Sequence, residues 1–145
     1  MELSSFKRNA AAAAEGRWIN GIPHAPGLRL RVRGLSSPKA VACRRKKERG
    51  VEKKDRERGG GFKPETERRI TREVLHEAIL LEWDGLKDKG EPIPYTEEMA
   101  EKLLLDPDFD EFAGAVTWAA SIVDVDTEEV AEEQKGNSSK SSSGS

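Results

Sequence analysis

The residues able to do chemistry are few, and each arrangement they suggest is incomplete. His76 opens His76-Glu77-Ala78-Ile79-Leu80, the start of the helix that supplies zinc proteases with two histidines and a general-base glutamate. The second histidine should stand four positions on, where this chain has Leu80. With two histidines, His24 and His76, and one cysteine, Cys43, a four-ligand metal centre lacks soft donors. Asp106, Asp108 and Asp110 have the alternation of a calcium loop's first ligands. The sixth position, however, is Glu111 where the loop needs glycine, and the twelfth is Thr117 where it needs a bidentate glutamate. Asp124, Asp126 and Glu128 fail in the same way. Gly59-Gly60-Gly61-Phe62-Lys63 has neither the preceding strand nor the Gly-Lys-Ser/Thr of a phosphate loop. Serine is plentiful only in the tail, where nothing orients a base beside it. The expectation is a protein that is not an enzyme, with no catalytic residue, metal or cofactor.

Charge offers the other candidate site. Arg44, Arg45, Lys46 and Lys47 lead a run of nine cations ending at Arg58. They are the candidate nucleic-acid contacts, since such a run can neutralise several phosphates. No aromatic residue lies among the charges to stack on exposed bases, so nucleic acid is the less favoured partner. The net charge of -2 conceals two opposite halves: residues 1–72 hold 20 Lys and Arg against 8 acids, and residues 73–145 hold 5 against 19. Halves so charged can fold against each other or associate head to tail with further copies, and salt would weaken either. Self-association is expected.

These residues must be positioned by a small scaffold. Charged residues make up 36% of the chain against a globular norm of roughly 25%, and hydrophobic residues 35%, which leaves little core. Residues 1–15 read as a flexible leader, 16–123 as a single domain, and 124–145 as a disordered tail, acidic and then Ser-rich. The N-terminus lacks the apolar core of a secretory signal, and no apolar stretch is long enough to span a membrane. Arg17 to Ile22 and Leu28 to Arg33 read as a β-hairpin, with Leu28, Leu30 and Val32 on its dry face. Ser36 and Ser37 before Pro38 start a helix to about Arg49, and residues 50–63 read as a mobile basic linker. Pro64 opens the longest helical pattern, expected to run to about Trp83 with Ile70, Val74, Ala78 and Leu81 on one stripe. After turns at Asp84-Gly85 and Lys89-Gly90, Thr96 caps a helix bearing Met99, Leu103 and Leu104. A last helix, from about Asp108 to Val123, presents Phe109, Phe112, Val116 and Val123 on one side. The fold class is α+β, mainly α: a small N-terminal β-hairpin packed on three to four helices.

The densest pattern is Trp83-Asp84-Gly85, then Gly90-Glu91-Pro92-Ile93-Pro94-Tyr95, then Leu103-Leu104. From Gly16 to Val123 the chain resembles the tail assembly chaperones of long-tailed bacteriophages, encoded upstream of the tape measure protein. The resemblance implies a factor in the cytoplasm of the bacterial host that binds the tape measure protein, keeps it soluble and recruits tail tube subunits. The contact residues it suggests are Trp83, Pro92, Pro94, Tyr95, Phe109, Phe112, Val116 and Val123. A structural or connector tail protein is the nearest rival, and a basic nucleic-acid-binding phage accessory protein is the rival from another class. Such chaperone families often carry a longer product made by a programmed minus-one frameshift, and Lys135-Gly136-Asn137 can be encoded by AAG-GGA-AAC, on which paired tRNAs can slip. The residues permit G-GGA-AAC in the nine bases that encode them but do not require it. Sequencing that finds a non-slippery heptamer and no overlapping frame downstream removes the longer product.

Overall fold

The computed structural model describes Leu3 and the backbone of residues 14–140, with side chains described through Val125. The expected leader lies almost wholly outside the described residues, as do residues 141–145. No helix among the described residues is long and apolar enough to cross a membrane.

The hairpin forms as β1 (Arg17–Ile19) and β2 (Arg29–Val32), paired antiparallel with Ile19 opposite Leu30. Leu28, Leu30 and Val32 are buried as the alternation requires. The turn between the strands winds through two tight hydrogen-bonded steps, Ala25 N–H to the Ile22 carbonyl and Leu28 N–H to the Ala25 carbonyl. His24 is in the left-handed region there, at φ 62°.

Helix α1 spans Pro38–Arg49, with proline in its first turn. Ser37 is at the N-cap, but its hydroxyl makes no capping bond and is buried without a partner among the described residues. The neighbouring Ser36 instead gives its N–H and hydroxyl to the Asp124 carboxylate, the hydroxyl at 2.8 Å. Gly34 allows that approach, because a Cβ at this position would strike the same carboxylate.

The stretch read as a mobile linker is folded. After a 3-10 turn at Lys53–Asp55, an isolated bridge joins Arg56 to Phe62, and Glu57 N–H meets the Gly61 carbonyl at 2.7 Å. Val51 is buried. The glycines serve here as the tip of a closed loop, with Gly60 at φ 92°.

The largest departure from the sequence reading follows Pro64. Helix α2 spans only Pro64–Val74; a π turn covers Leu75–Ile79, and the chain then extends as β3 (Leu80–Asp84). The expected helix to Trp83 is therefore corrected. The wider turn lets Leu75, Ala78, Ile79 and Leu80 all reach the core, and the extended run that follows completes the sheet in the order β1-β2-β3. Leu30 pairs with Trp83 and Arg31 with Glu82, and a bulge brings Val32 opposite Leu80. Short apolar runs such as Ile79-Leu80-Leu81 satisfy helix and strand patterns alike, and the free edge of β2 decides between them.

A two-residue hairpin follows, β4 (Lys87–Asp88) with β5 (Glu91–Pro92), turned by Lys89 at φ 52° and Gly90 at φ 82°. Helix α3 (Glu97–Leu105) has Thr96 as its N-cap, the hydroxyl accepting from Met99 N–H at 3.1 Å, as expected. A 3-10 turn at Pro107–Phe109 then leads into α4 (Asp110–Lys140), whose backbone continues beyond the expected end at Val123. Arg72 ties these joints together, with one guanidinium nitrogen on the Leu104 carbonyl at 3.0 Å and another paired with Asp110. Leu30, Val32, Ile70, Leu75, Ile79, Leu104, Val116 and Val123 form the fully buried centre, where strands meet α2, α3 and α4. The architecture is the expected α+β, mainly helical arrangement.

Gly85 has the least room for a side chain among the described glycines. It has φ 81°, and a Cβ added there would run into the Gly27 carbonyl of the neighbouring hairpin turn. Both the backbone conformation and the close approach exclude a side chain, so Gly85→Ala is expected to destabilise by about 1 to 3 kcal/mol. Urea denaturation should show a lower midpoint at unchanged slope, and an unchanged midpoint contradicts this packing.

Candidate functional site: an apolar groove beside the Trp83 staple

The residues of the densest sequence pattern converge, but mostly inward. Trp83 is 4% exposed. Its Nε1–H donates to the Ile93 carbonyl at 2.8 Å, closing the loop that contains β4 and β5. Tyr95 and Phe112 meet the indole edge-on, with ring centroids at 5.0 and 5.7 Å and interplanar angles of 78° and 88°. The pattern is thus an internal staple. Pro92, Pro94 and Phe109 are exposed, Tyr95 and Phe112 are half-buried, and Val116 and Val123 lie wholly in the core. The eight sequence-derived contact residues do not form one surface, and Trp83, Val116 and Val123 have little or none to offer a partner.

A different apolar surface lies next to the staple. A groove of about 540 Å³ runs between the turn of the first hairpin and the first three turns of α4. Ile22, Ala25 and Leu28 form one wall, and Phe112, Ala115 and Trp118 the other. His24, Leu86 and Glu111 complete the rim, and Gly114 opens the helix side, with nothing within 4 Å of where a Cβ would stand. Phe112 is therefore shared: one edge meets Trp83 and another lines the groove. This helix wall is centred roughly a third of a turn around α4 from the core stripe of Ala113, Val116, Ala120 and Val123. Its sequence signal was the width of the apolar face of α4, broader than a single core-facing stripe needs.

The basic run divides between two faces of α1. Arg44 reaches α2, with Nη1 at 3.0 Å from a Glu67 oxygen and Nη2 at 2.8 Å from the Thr71 hydroxyl. Lys47 Nζ bridges Glu73 at 2.9 Å and Glu77 at 2.5 Å. Arg45 and Lys46 point to solvent. The opposite charges of the chain thus meet in part within one molecule.

No group of three metal-ligating side chains forms among the described residues. His76 is nearly buried, with Nε2 at 3.8 Å from Glu101 and Nδ1 without a hydrogen-bond partner. Asp106 accepts Asp108 N–H at 2.9 Å and so caps the 3-10 turn. Three protons are held more tightly than usual. Burial, then the nearby Glu77, raises the Cys43 thiol. Burial, then Glu97 and Glu82, raises Tyr95. For Lys47, burial opposes the charge, but the hydrogen bonds to Glu77 and Glu73 outweigh it and the ammonium is held above its ordinary value.

Against known proteins, the model of a family described as the YdaY prophage protein matches residues 35–137. That range covers most of the chain, from the residues before α1 into α4, and the chain belongs to this family. It is a phage-derived protein of mainly helical α+β fold. No curated protein and no solved structure matches it.

The raised values have a stability consequence of definite sign. Between a group's ordinary and raised pKa the folded chain holds more protons than the unfolded chain, so stability falls as pH rises. The contribution is intact below about pH 9, where the ordinary cysteine value of 9.0 lies, and is lost as pH climbs through the raised values of Cys43, Tyr95 and Lys47. Thermal melts from about pH 9 upward should show a falling midpoint, with the earliest part of the fall absent in Cys43→Ala. A midpoint that is level across this range contradicts the burial of the thiol and the Lys47 bridge.

Proposed function

We propose that this prophage protein is a non-enzymatic tail assembly chaperone. In this reading it binds the tape measure protein, recruits tail tube subunits and works in the cytoplasm of the host. The observation that supports the reading best is the groove between the hairpin turn and α4, which leaves Phe112, Ala115 and Trp118 accessible beside a rigid core. A tape measure protein is a long helix whose apolar side chains stay uncovered until the tube encloses them. One such side chain laid in the groove gains about 2 kcal/mol from leaving water, too little for stable binding alone. Copies spaced along a repetitive helix would add avidity, and weak single contacts would let the growing tube displace them. The Trp83, Gly90-to-Tyr95 and Leu103-Leu104 pattern shared with tail chaperones contributes the scaffold of the groove, through Phe112, and leaves recognition to the neighbouring surface.

Gly114 allows a clean test. It is exposed, has open space around it, and lies in a helix, where glycine itself costs about 0.5 to 1 kcal/mol. Gly114→Arg should therefore fill the groove mouth without weakening the fold. The wild-type chain is expected to co-migrate with the tape measure protein in size exclusion at low salt, and Gly114→Arg is expected to lose most of that association. Failure of the wild type to co-migrate with any tail component, or equal association by the variant, overturns the reading.

A further inference from the structure

Folding leaves α1 with one matched face and one unmatched face. Arg44 and Lys47 are engaged by the acids of α2 and of the π turn that follows it, whereas Lys39, Arg45, Lys46 and Arg49 are exposed and have no carboxylate partner among the described residues. From Lys39 to Lys63 the chain holds eleven Lys and Arg against four carboxylates. The ion pairs that join α1 to α2 use two of these cations, so the fold has no need of most of the surplus.

The loop after α1 adds what the linear sequence lacked. It doubles back so that Phe62, outside the basic run in sequence, stands beside it in space. The Arg56 guanidinium lies 4.9 Å from the centre of the Phe62 ring, and its Nη2 donates to the Glu48 carbonyl at 3.0 Å. Arg56 is thereby held from two sides before any ligand arrives. Arg45, Arg49, Arg56 and Phe62, with Glu48, line a cleft of about 240 Å³ at the C-terminal end of α1.

We propose that this cleft and the outer face of α1 bind single-stranded nucleic acid. Lys39, Arg45, Lys46 and Arg49 follow the phosphates along a helix face about 15 Å long. The Arg56 guanidinium, backed by the Phe62 ring it lies over, offers a base the stacking surface that cations alone do not provide. An acidic segment of a second copy would also meet the cations, but it would give the Arg56–Phe62 pair no role. Duplex DNA would satisfy the charges while keeping its bases out of the cleft. The unpaired strand is the ligand that uses every component.

The test is fluorescence anisotropy of the full chain with labelled oligothymidylate of about 20 nucleotides, longer than the roughly 4 to 16 of typical single-strand sites. A duplex of equal length is measured beside it, at roughly 50 and 200 mM salt. The wild type should bind the single strand more tightly than the duplex. Arg45→Glu with Arg49→Glu should weaken binding tenfold or more and lower the salt slope by about 1.4, at about 0.7 for each phosphate left without its cation. Phe62→Leu, which keeps an apolar side chain for packing, should cost the single strand about fivefold or more and leave the duplex unchanged. Arg45 and Arg49 are exposed, so melting curves of the variants should match the wild type. No binding at low salt, or binding indifferent to these substitutions, overturns the proposal. So does low-salt self-association that needs the same arginines while oligonucleotide does not bind. Gly114→Arg should bind the oligonucleotide normally, which separates this site from the chaperone reading.

Discussion

The Trp83 indole is the side chain on which most of this fold depends. It lies in the last strand of the sheet, opposite Leu30, and simultaneously hydrogen-bonds the Ile93 carbonyl and meets Tyr95 and Phe112 at their edges. Four chain segments are thereby referred to one ring system: β2, the β4–β5 loop, the lead-in to α3, and the first turns of α4. A buried indole whose N–H lacked a partner would cost roughly 1 to 3 kcal/mol, so the loop carrying Ile93 must close for the core to be stable. This requirement accounts for the turns at Asp84-Gly85 and Lys89-Gly90, which exist to bring the chain back over the indole. It accounts also for Gly85, the position at which returning chain and hairpin turn come too close for a side chain.

Electrostatics does a second, separable part of the assembly. The chain's two halves carry opposite charge, and part of that opposition is resolved inside the molecule, where Lys47 of the first half bridges Glu73 and Glu77 of the second, while Arg44 meets Glu67 within the first half. These pairs are half-exposed, so each contributes modestly, on the order of 1 kcal/mol or less. They orient α1 against α2 more than they hold it there, since α1 buries little apart from Ala40. A helix anchored so lightly by apolar packing, yet carrying so many cations, keeps its outer face free for other work. The apolar groove lies elsewhere, between the hairpin turn and α4, so the two surfaces share no lining residue.

The elements whose signals are local were legible in the sequence. Alternation placed the hairpin and its dry face, Pro38 and Pro64 marked two helix starts, and Thr96 marked a third. What escaped was set by long-range pairing. Leu80 to Asp84 continues a good helical stripe, and only the vacancy beside β2 makes it a strand. Residues 50–63 have the composition of a linker, yet the bridge from Arg56 to Phe62 closes them. For the candidate sites the same division holds. The basic run was visible, but its partition into matched and unmatched faces depends on where α2 docks. Phe112 was visible as an apolar helix residue, whereas Ile22, Ala25 and Leu28 become the opposite wall only once the hairpin turn is seated against α4.

The aromatic and proline pattern from Trp83 to Tyr95 therefore has a particular meaning in this chain. The residues that carry it are the ones most constrained by packing: Trp83 is buried, Gly85 admits no side chain, Tyr95 leans on the indole, and Leu103 and Leu104 face the core. Such a pattern specifies a scaffold. The groove wall of Ala115 and Trp118 and the cleft of Arg56 and Phe62 stand apart from the staple. Function in a scaffold of this kind resides in residues that packing leaves free, which is why the staple by itself names no partner.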